Sequence, residues 1–455
     1  MNRPWLTHYE AHVPPTIDIP DTPLSDCLRR NALRHPKRTA LIFFDKKVSF
    51  QELNDAVDRF AAGLQKLGVG QGDRVAVYMP NCPQFVIAYY GILRAGAIVV
   101  PCNPLYVARE LQHQLTDAGA RVIVVLSSFY HTIQEIRDNT PLEYAIVANI
   151  KEYFPAHLRA LFTLLKEKKE GHYLDLTDEP DTIWFSEFIR EAPPVPAPVR
   201  AQLDDTACLL YTGGTTGVPK GAELTQGNLL VNAMQCHVWL NTRPADEVVL
   251  AALPMSHSYG MTTCLNHGIY CASTLVLIPN PRDLIFVLKN IQQHRPTVFP
   301  GVPTMYVAIN NHPDTPQYDL SSIQVCISGG AGLPKEVQVR FEELTGGKLV
   351  EGYGLTEASP VTHANPIMNG CRIGTIGLPW PSTDCMLVDP EDGQREVAPG
   401  EPGELCIRGP QVMKGYWNMP EESARVLRDG WLYTGDIAVM SEDGYFSVVD
   451  RKKDM

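Results

Sequence analysis

The chain has 455 residues, 44% of them hydrophobic and 20% charged, which is enough apolar sequence for two or three packed subdomains and excludes a disordered protein. The formal net charge is −12, and no run of lysine and arginine builds a basic face, which argues against a partner made of nucleic acid. The eleven cysteines are scattered singly, no signal core begins the chain and no stretch of 18 apolar residues occurs, so we expect a cytoplasmic protein with reduced thiols.

Short apolar strands alternate with helices between residues 24 and 126. The strand patterns are ALIFF, RVAVYM, AIVVPCN and RVIVVL, and the helix after the first of them begins at a capping residue, Ser49. Strands of this kind, separated by helices, are typical of a parallel sheet that is covered on both faces. We therefore predict an α/β subdomain over residues 1–200.

Residues 151–200 read as an insertion in this subdomain that ends in a proline-rich linker, APPVPAPV. A helical pattern runs through residues 154–169, with an apolar face and basic residues off that face. The apolar face consists of Phe154, Leu158, Leu161, Phe162 and Leu165, and the basic residues are Arg159, Lys166, Lys168 and Lys169. Two interpretations stay open: a helix packed on its own domain, or a peripheral contact with the inner face of a membrane.

A second α/β subdomain is predicted over residues 201–366 and a small β subdomain over residues 367–449. The latter contains short strand patterns between glycine, proline and aspartate turns. The predicted fold is therefore α/β, with two parallel-sheet subdomains packed face to face and a small distorted β-barrel subdomain.

The most specific motif is YTGGTTGVPKG at residues 211–221, directly after the strand pattern ACLLY. Its glycines let backbone amides approach an anion, its threonines add hydroxyl groups, and Lys220 adds a positive charge. The Walker pattern does not fit this loop. The sequence predicts a polyphosphate site made of Thr212, Gly213, Gly214, Thr215, Thr216, Gly217 and Lys220.

This loop resembles the signature loop of the adenylate-forming superfamily, which includes acyl-CoA synthetases, firefly luciferase and peptide-synthetase adenylation domains. Its TGGTTG form is most similar to bacterial long-chain fatty acyl-CoA synthetases. Further motifs follow in the order of the family over essentially the whole chain: GGAG at 329–332, GYGLTE at 352–357, YTGD at 433–436 and DRKKD at 450–454.

The resemblance implies a nucleotide site. Ala331, between Gly330 and Gly332, would cover one face of adenine, and Tyr353, between Gly352 and Gly354, would cover the other face. It further implies contacts with ribose, the α-phosphate and Mg²⁺. The residues given these roles are Asp436 and Arg451 for ribose, Thr356 for the phosphate and Glu357 for the metal.

The segment LPMSHSYG at residues 253–260 resembles the aromatic-histidine motif of the family, which implies that His257 lies near the reacting carboxylate. We predict that His257 belongs to the site and expect placement, rather than proton transfer, to be its task. The predicted substrate pocket contains His257, Tyr259, Gly329, Gly330 and Trp239. The glycines would leave room for a long acid, and Trp239 is either a tunnel gate or a core residue.

The resemblance implies that the chain activates a medium- or long-chain fatty acid with ATP and Mg²⁺ to acyl-AMP, then transfers the acyl group to CoA. Acyl-CoA, AMP and pyrophosphate are the products, and Lys220, His257, Thr356 and Glu357 are the predicted catalytic residues. The alternatives are an aryl-CoA ligase of the benzoate or coumarate type, a fatty acyl-AMP ligase, a luciferase-like or reductive enzyme, and a nucleotide- or acyl-binding sensor without turnover.

Residues 450–455 match the hinge of the family, with Lys453 as its pivot. We find no match to the mobile C-terminal domain that follows this hinge in the family. The expectation is a shortened chain that is weakly active or inactive by itself. A homodimer is a further expectation.

Overall fold

The computed structural model describes residues 3–212 and 219–452. The strands in these ranges are, in chain order, β1 (Thr39–Phe43), β2 (Lys46–Ser49), β3 (Arg74–Tyr78), β4 (Ile98–Cys102), β5 (Val122–Leu126), β6 (Tyr144–Ala148), β7 (Thr182–Trp184), β8 (Thr206–Thr212), β9 (Lys220–Thr225), β10 (Val248–Ala251), β11 (Thr274–Leu277), β12 (Val325–Ser328), β13 (Lys348–Gly354), β14 (Val361–Ala364), β15 (Leu378–Pro379), β16 (Asp384–Val388), β17 (Pro402–Arg408), β18 (Gly415–Tyr416), β19 (Leu427–Arg428), β20 (Trp431–Met440) and β21 (Phe446–Arg451).

The helices are α1 (Asp26–Arg34), α2 (Phe50–Lys66), α3 (Pro83–Arg94), α4 (Ala108–Ala118), α5 (Tyr130–Ile136), α6 (Ala156–Leu165), α7 (Phe185–Glu191), α8 (Gln226–Trp239), α9 (Ser258–Gly260), α10 (His267–Tyr270), α11 (Leu284–His294), α12 (Pro303–Asn311), α13 (Lys335–Thr345) and α14 (Pro420–Val426). A π-helical segment, Met261–Asn266, joins α9 to α10, and Thr356–Ala358 forms a single 3₁₀ turn. No helix in the described ranges is long and apolar enough to cross a bilayer.

Eight strands form the first sheet, in the order β18-β9-β8-β4-β3-β5-β6-β7. The strands from β8 to β7 run parallel, and β9 and β18 close the other edge in antiparallel fashion. The second sheet combines β2-β1-β11-β10 with β12-β13-β14-β15, and Val298 bridges Val249 of β10 and Val325 of β12. Its central strands are also parallel.

Alternating side chains place the two sheets on opposite sides of one shared layer of helices. Val75 and Val77 of β3 face the same core as α2 and α3, whereas Ala76 and Tyr78 face α4 and α5. Leu41 of β1 also faces the shared core, and its neighbour Ile42 faces α11, α12 and α13. Every residue of α3 is buried, because this helix lies between the sheets. The predicted α/β class with two parallel sheets is confirmed.

The strands do not divide between the sheets at residue 200, where the sequence predicted a boundary. β1 and β2 belong to the second sheet through the pairing of β1 with β11, and the hairpin β8–β9 belongs to the first sheet through β4. The predicted insertion at 151–200 also contributes β7 to the edge of the first sheet. Hydrophobic patterns locate strands but do not identify their partners, so this exchange was not predictable.

The last strands form a third, antiparallel sheet, where the sequence predicted a small distorted barrel over residues 367–449. Its order is β16-β17-β20-β19, and β21 pairs with the other end of the long strand β20. One bridge between Gly377 and Phe446 continues the pairing toward β15. The third sheet therefore lies against the second, beside the strands that carry the nucleotide motifs.

Candidate functional site

The candidate site lies at the edge where the parallel strands of both sheets end. Asn81, which follows β3 of the first sheet, joins this edge to the segment after β10 of the second. Its side-chain amide donates to the carbonyls of Ala251 (2.9 Å) and Leu253 (2.8 Å), and its oxygen accepts from the amide of Met255 (2.8 Å). The buried Asn81 thus fixes the segment that leads to His257. Sequence reasoning missed it, although an asparagine between two prolines after a strand is a recognisable signal.

The phosphate-loop motif is framed by an antiparallel hairpin. Thr212, at the end of β8, is the cross-strand partner of Lys220, at the start of β9. Both predicted residues are thus held side by side at the site edge. The predicted Gly213, Gly214, Thr215, Thr216 and Gly217 lie outside the described residues.

Two residues that the sequence analysis did not select contact the phosphate-loop lysine and the predicted metal ligand. The ammonium of Lys220 pairs with the carboxylate of Glu422 and lies 5.1 Å from the ring centre of Tyr416. The Tyr416 hydroxyl donates to Oε1 of Glu357 at 2.6 Å. Burial and the negative charge of Glu357 raise the pKa of Tyr416 far above its ordinary value, so Tyr416 stays a donor. The segment GYWNMPEE has no apolar pattern that would have identified it.

Thr356 and Glu357 occupy the 3₁₀ turn after β13. The hydroxyl oxygens of Thr356 and Ser258 are 3.4 Å apart, which joins this turn to the start of α9. The amide of Met413 donates to the carbonyl of Glu357 at 2.7 Å, so the backbone of the turn is fixed as well. The structure therefore brings Lys220, Thr356 and Glu357 together through β18 and α14.

His257 caps α9 and remains exposed at the site. Its Nδ1 accepts the amide of Tyr259 at 3.2 Å, which leaves the proton of the neutral ring on Nε2. One side of the His257 ring is exposed to solvent, and protein atoms surround its other sides. This partial desolvation lowers the pKa of His257. A neutral imidazole with an N–H directed away from its backbone contact suits donation to an anion, in line with the expected placement role.

The space beside Gly329 is filled, which corrects the expectation that both glycines leave room for substrate. A Cβ atom at Gly329 would lie 3.1 Å from the ring of Tyr259, whose hydroxyl donates to the carbonyl of Ile327 at 2.6 Å. Gly329 thus permits close packing of that ring. Gly330 differs, because it is exposed and its φ of +82° favours glycine. Gly330, Ala331 and Gly332 together form an exposed turn after β12.

The predicted adenine and ribose residues meet at one carboxylate. The hydroxyl of Tyr353 donates to Oδ2 of Asp436 at 2.5 Å, and Nε of Arg451 lies 2.9 Å from Oδ1. Pairing of β20 with β21 places Asp436 opposite Arg451. A carboxylate has about four acceptor positions, so two contacts with protein leave capacity for a vicinal diol. Burial, first, and then the charge of Asp436 raise the pKa of Tyr353 well above its ordinary value.

A further carboxyl group, Glu351, ties the exposed turn to β13. It accepts the amide of Leu333 at 3.2 Å, and burial raises its pKa to about 7. Along the same strand, Gly352 and Gly354 are required by packing, since a Cβ at either position would collide with β12 or with the backbone at Pro360. The sequence analysis did not select Glu351, because this residue lies just before the GYGLTE motif that contains Tyr353 and Glu357.

Trp239 lies in the core. Its described contacts favour the interpretation as a core residue over the interpretation as a tunnel gate. Its Nε1 donates to the carbonyl of Asn365 at 3.1 Å, and its ring packs on Trp380 (5.9 Å) and Tyr9 (5.4 Å). A buried indole with its N–H satisfied needs no ligand. The predicted hinge residue Lys453 lies outside the described residues.

Comparisons with known proteins found similar chains by family, by sequence and by fold. The family model described as "AMP-binding enzyme" matches residues 28–417. A long-chain-fatty-acid–CoA ligase of Bacillus subtilis (strain 168) is 44% identical over 454 residues, which cover 100% of this chain and 81% of that protein.

Two solved structures share the fold. The crystal structure of an anthranilate CoA ligase in complex with anthranoyl-AMP has a TM-score of 0.86 and 27% identity, covering 96% of this chain and 79% of that one. A long-chain-fatty-acid–CoA ligase from Archaeoglobus fulgidus has a TM-score of 0.83 and 26% identity, covering 97% and 86%.

Proposed function

This chain belongs to the AMP-binding enzyme family, and on that premise we propose that it activates a medium- or long-chain fatty acid with ATP and passes the acyl group to CoA. The observation that carries the proposal is the meeting of the ends of both sheets at one edge. Contacts join Lys220 to Glu357 through Tyr416, and Thr356 to Ser258, which follows His257. Tyr353, which donates to Asp436, lies on the strand that leads to Thr356.

The nucleotide would bind where the second and third sheets meet. Adenine would lie between the turn at Ala331 and the ring of Tyr353, and the ribose hydroxyls would donate to Asp436, beside Arg451. The triphosphate would then extend toward Lys220 and the loop that follows Thr212. Lys220 must exchange its contact with Glu422 for one with phosphate.

The residues fit a magnesium ion that is bound largely by substrate. No group of three or more His, Cys, Asp and Glu side chains converges on a metal position in the described part of the chain. Glu357 offers one carboxylate, which Tyr416 orients through a single oxygen. Mg²⁺ usually takes one or two carboxylates together with phosphate oxygens and water, and it would neutralise charge on the triphosphate.

In the first step, a carboxylate oxygen of the acid attacks the α-phosphorus, a new P–O bond forms, and the bond to the bridging oxygen of pyrophosphate breaks. No proton moves in this step. Lys220 and the hydroxyl of Thr356 stabilise negative charge on the phosphates, and the Nε2–H of His257 orients the acid. In the second step, the CoA thiol attacks the acyl carbonyl, loses its proton to solvent or base, and AMP leaves.

The choice between a fatty acid and an aromatic acid is supported by the relatives rather than by a measured pocket. The Bacillus relative is named for long-chain fatty acids and is 44% identical to this chain over 454 residues, whereas the anthranilate ligase is named for an aromatic acid and is 27% identical. A fatty acyl-AMP ligase would stop after the first step. Cytoplasmic location and a homodimer stay predictions, and a membrane contact does not depend on this chemistry.

The test is pyrophosphate exchange by the full-length protein with tetradecanoate, hexadecanoate, benzoate and cinnamate, followed by mass spectrometry of products with CoA. We expect exchange with the fatty acids and formation of their thioesters. Faster exchange with benzoate or cinnamate would assign the chain to the aryl-CoA ligases, and exchange without thioester would indicate an acyl-AMP ligase. Nucleotide binding without any exchange would favour a sensor.

A further inference from the structure

The amphipathic segment of the predicted insertion forms α6, and only half of its apolar residues pack on the protein. The ring of Phe154, just before the helix, lies 5.4 Å from that of Phe162 and 4.7 Å from that of Phe44. Phe154 and Phe162 are buried, and Leu158 is half-buried against the same core. One face of α6 is therefore anchored.

The remainder of the apolar face of α6 exposes leucines to solvent. Leu161, Leu164 and Leu165 are 53%, 82% and 65% exposed, and no residue of the described ranges covers them. At 100° per residue, Leu165, Leu161 and Leu164 continue the apolar face from Leu158 around the helix. The predicted apolar face is therefore covered along the side of Phe162 only, and its exposed stripe calls for a partner.

The charges around the stripe are positive although the chain carries −12 overall. Arg159, Lys166, Lys168 and Lys169 are exposed, and the one ion pair among them joins Lys166 to Glu170 at 3.4 Å. The other acidic residue of the segment, Glu167, is buried and pairs with Lys151. The exposed surface thus combines three leucines with a net positive charge.

The anchor places α6 at the same edge as the candidate site. Phe43 and Phe44, which end β1, contact Phe154, and β1 runs parallel to β11 and β10. Four strand spacings separate β1 from β12, where the turn at Gly330 begins. At about 4.8 Å per spacing, the separation along the edge is roughly 20 Å.

We propose that the exposed leucines of α6 and the basic residues beside them form a docking surface for a lipid bilayer with anionic headgroups. Leucines would enter the interfacial region, and the lysines and Arg159 would contact lipid phosphates. Positive charge beside the stripe favours an anionic surface and disfavours a symmetric contact in which the stripe meets the same stripe of a second copy. The surface would hold the carboxyl edge of the sheets close to the membrane, where long acids partition.

The experiment is sedimentation of the protein with vesicles of phosphatidylcholine alone or mixed with phosphatidylglycerol. The first variant combines Leu161→Ser, Leu164→Ser and Leu165→Ser; the second combines Lys168→Glu with Lys169→Glu. Leu33→Ser and Lys289→Glu are matched controls, because Leu33 is 78% exposed on α1 and Lys289 is exposed on α11. The sedimentation experiment does not depend on enzymatic activity, so a negative result would leave the proposed function intact.

We expect binding to the anionic vesicles, a loss of at least about tenfold in affinity for each α6 variant and none for the controls. Added salt should weaken binding by the parent and the leucine variant. Equal sedimentation of parent and α6 variants, or no binding to either vesicle, would overturn the proposal. So would light scattering that shows a dimer of the parent and a monomer of the leucine variant without vesicle binding, since the stripe would then join two chains.

Discussion

At the scale of single residues, the bond between Tyr416 and Glu357 leaves one carboxylate oxygen for a metal ion. Glu357→Gln keeps an acceptor for the Tyr416 hydroxyl and removes the charge. We expect pyrophosphate exchange in Mg²⁺ to fall by roughly 10²–10³, because one preorganised charge next to the phosphates is lost. AMP affinity, measured by calorimetry without Mg²⁺, should change less than about threefold. Exchange at the parental rate would contradict the metal role.

The raised pKa of Glu351 predicts how the stability of the fold changes with pH. Burial raises its pKa from 4.5 to about 7, so the folded chain binds more protons than the unfolded chain between these values. The contribution of Glu351 to stability is therefore lost as pH rises through that window. Glu351→Gln stays neutral and can still accept the Leu333 amide.

Below pH 4.5 the two proteins should therefore show the same pH dependence. From there to pH 7 the stability of the Gln variant relative to the parent should rise by roughly 1–2 kcal/mol, a value discounted for partial exposure. Urea denaturation at several pH values measures it. A stability difference that does not depend on pH would show that the pKa of Glu351 is the same in the folded and the unfolded chain.

At the scale of elements, the short segment from β18 to α14 determines how the site residues are held, and this could not be predicted. Lys220 was predicted from a glycine-rich loop and its charge, and Glu357 and Asp436 from short motifs that resemble those of the family, all of which are local features of sequence. Glu422 and Tyr416 act through contacts across the fold, at separations of 202 and 59 residues. Strand patterns were likewise local, whereas the pairing of β1 with β11 depends on the packing of the whole chain.

In our interpretation, the carboxylate of Glu422 and the phosphates of ATP compete for the ammonium of Lys220. Both side chains are about one-third exposed, so the pair contributes at most about 1 kcal/mol. Glu422→Gln should therefore tighten ATP binding up to about fivefold and leave AMP binding unchanged, because AMP lacks the outer phosphates. Calorimetric titration with both nucleotides tests this, with the exposed Glu421→Gln as control. Weaker ATP binding by Glu422→Gln would show instead that Glu422 positions the lysine.

At the scale of the whole molecule, the site exists only where the two sheets meet, and Asn81 makes three bonds across that junction. The second sheet takes β1 and β2 and then β10 to β15, and the first sheet takes β3 to β9 and then β18. Neither sheet therefore belongs to one continuous segment. The position of His257 depends on contacts from both.

Asn81→Ala removes these three bonds and leaves the carbonyl of Leu253 and the amide of Met255 without the partner that Asn81 provides, whereas the carbonyl of Ala251 still accepts from the amide of Ile278. We expect a loss of about 3 kcal/mol in stability, since each buried polar group without a partner costs roughly 1–3 kcal/mol. Release of the segment before His257 should also raise the KM for the acid. A purely structural role would not, and Asn290→Ala provides that comparison, because its buried amide makes one bond inside α11. If both variants lower stability and leave KM unchanged, the junction supports the fold without setting the site.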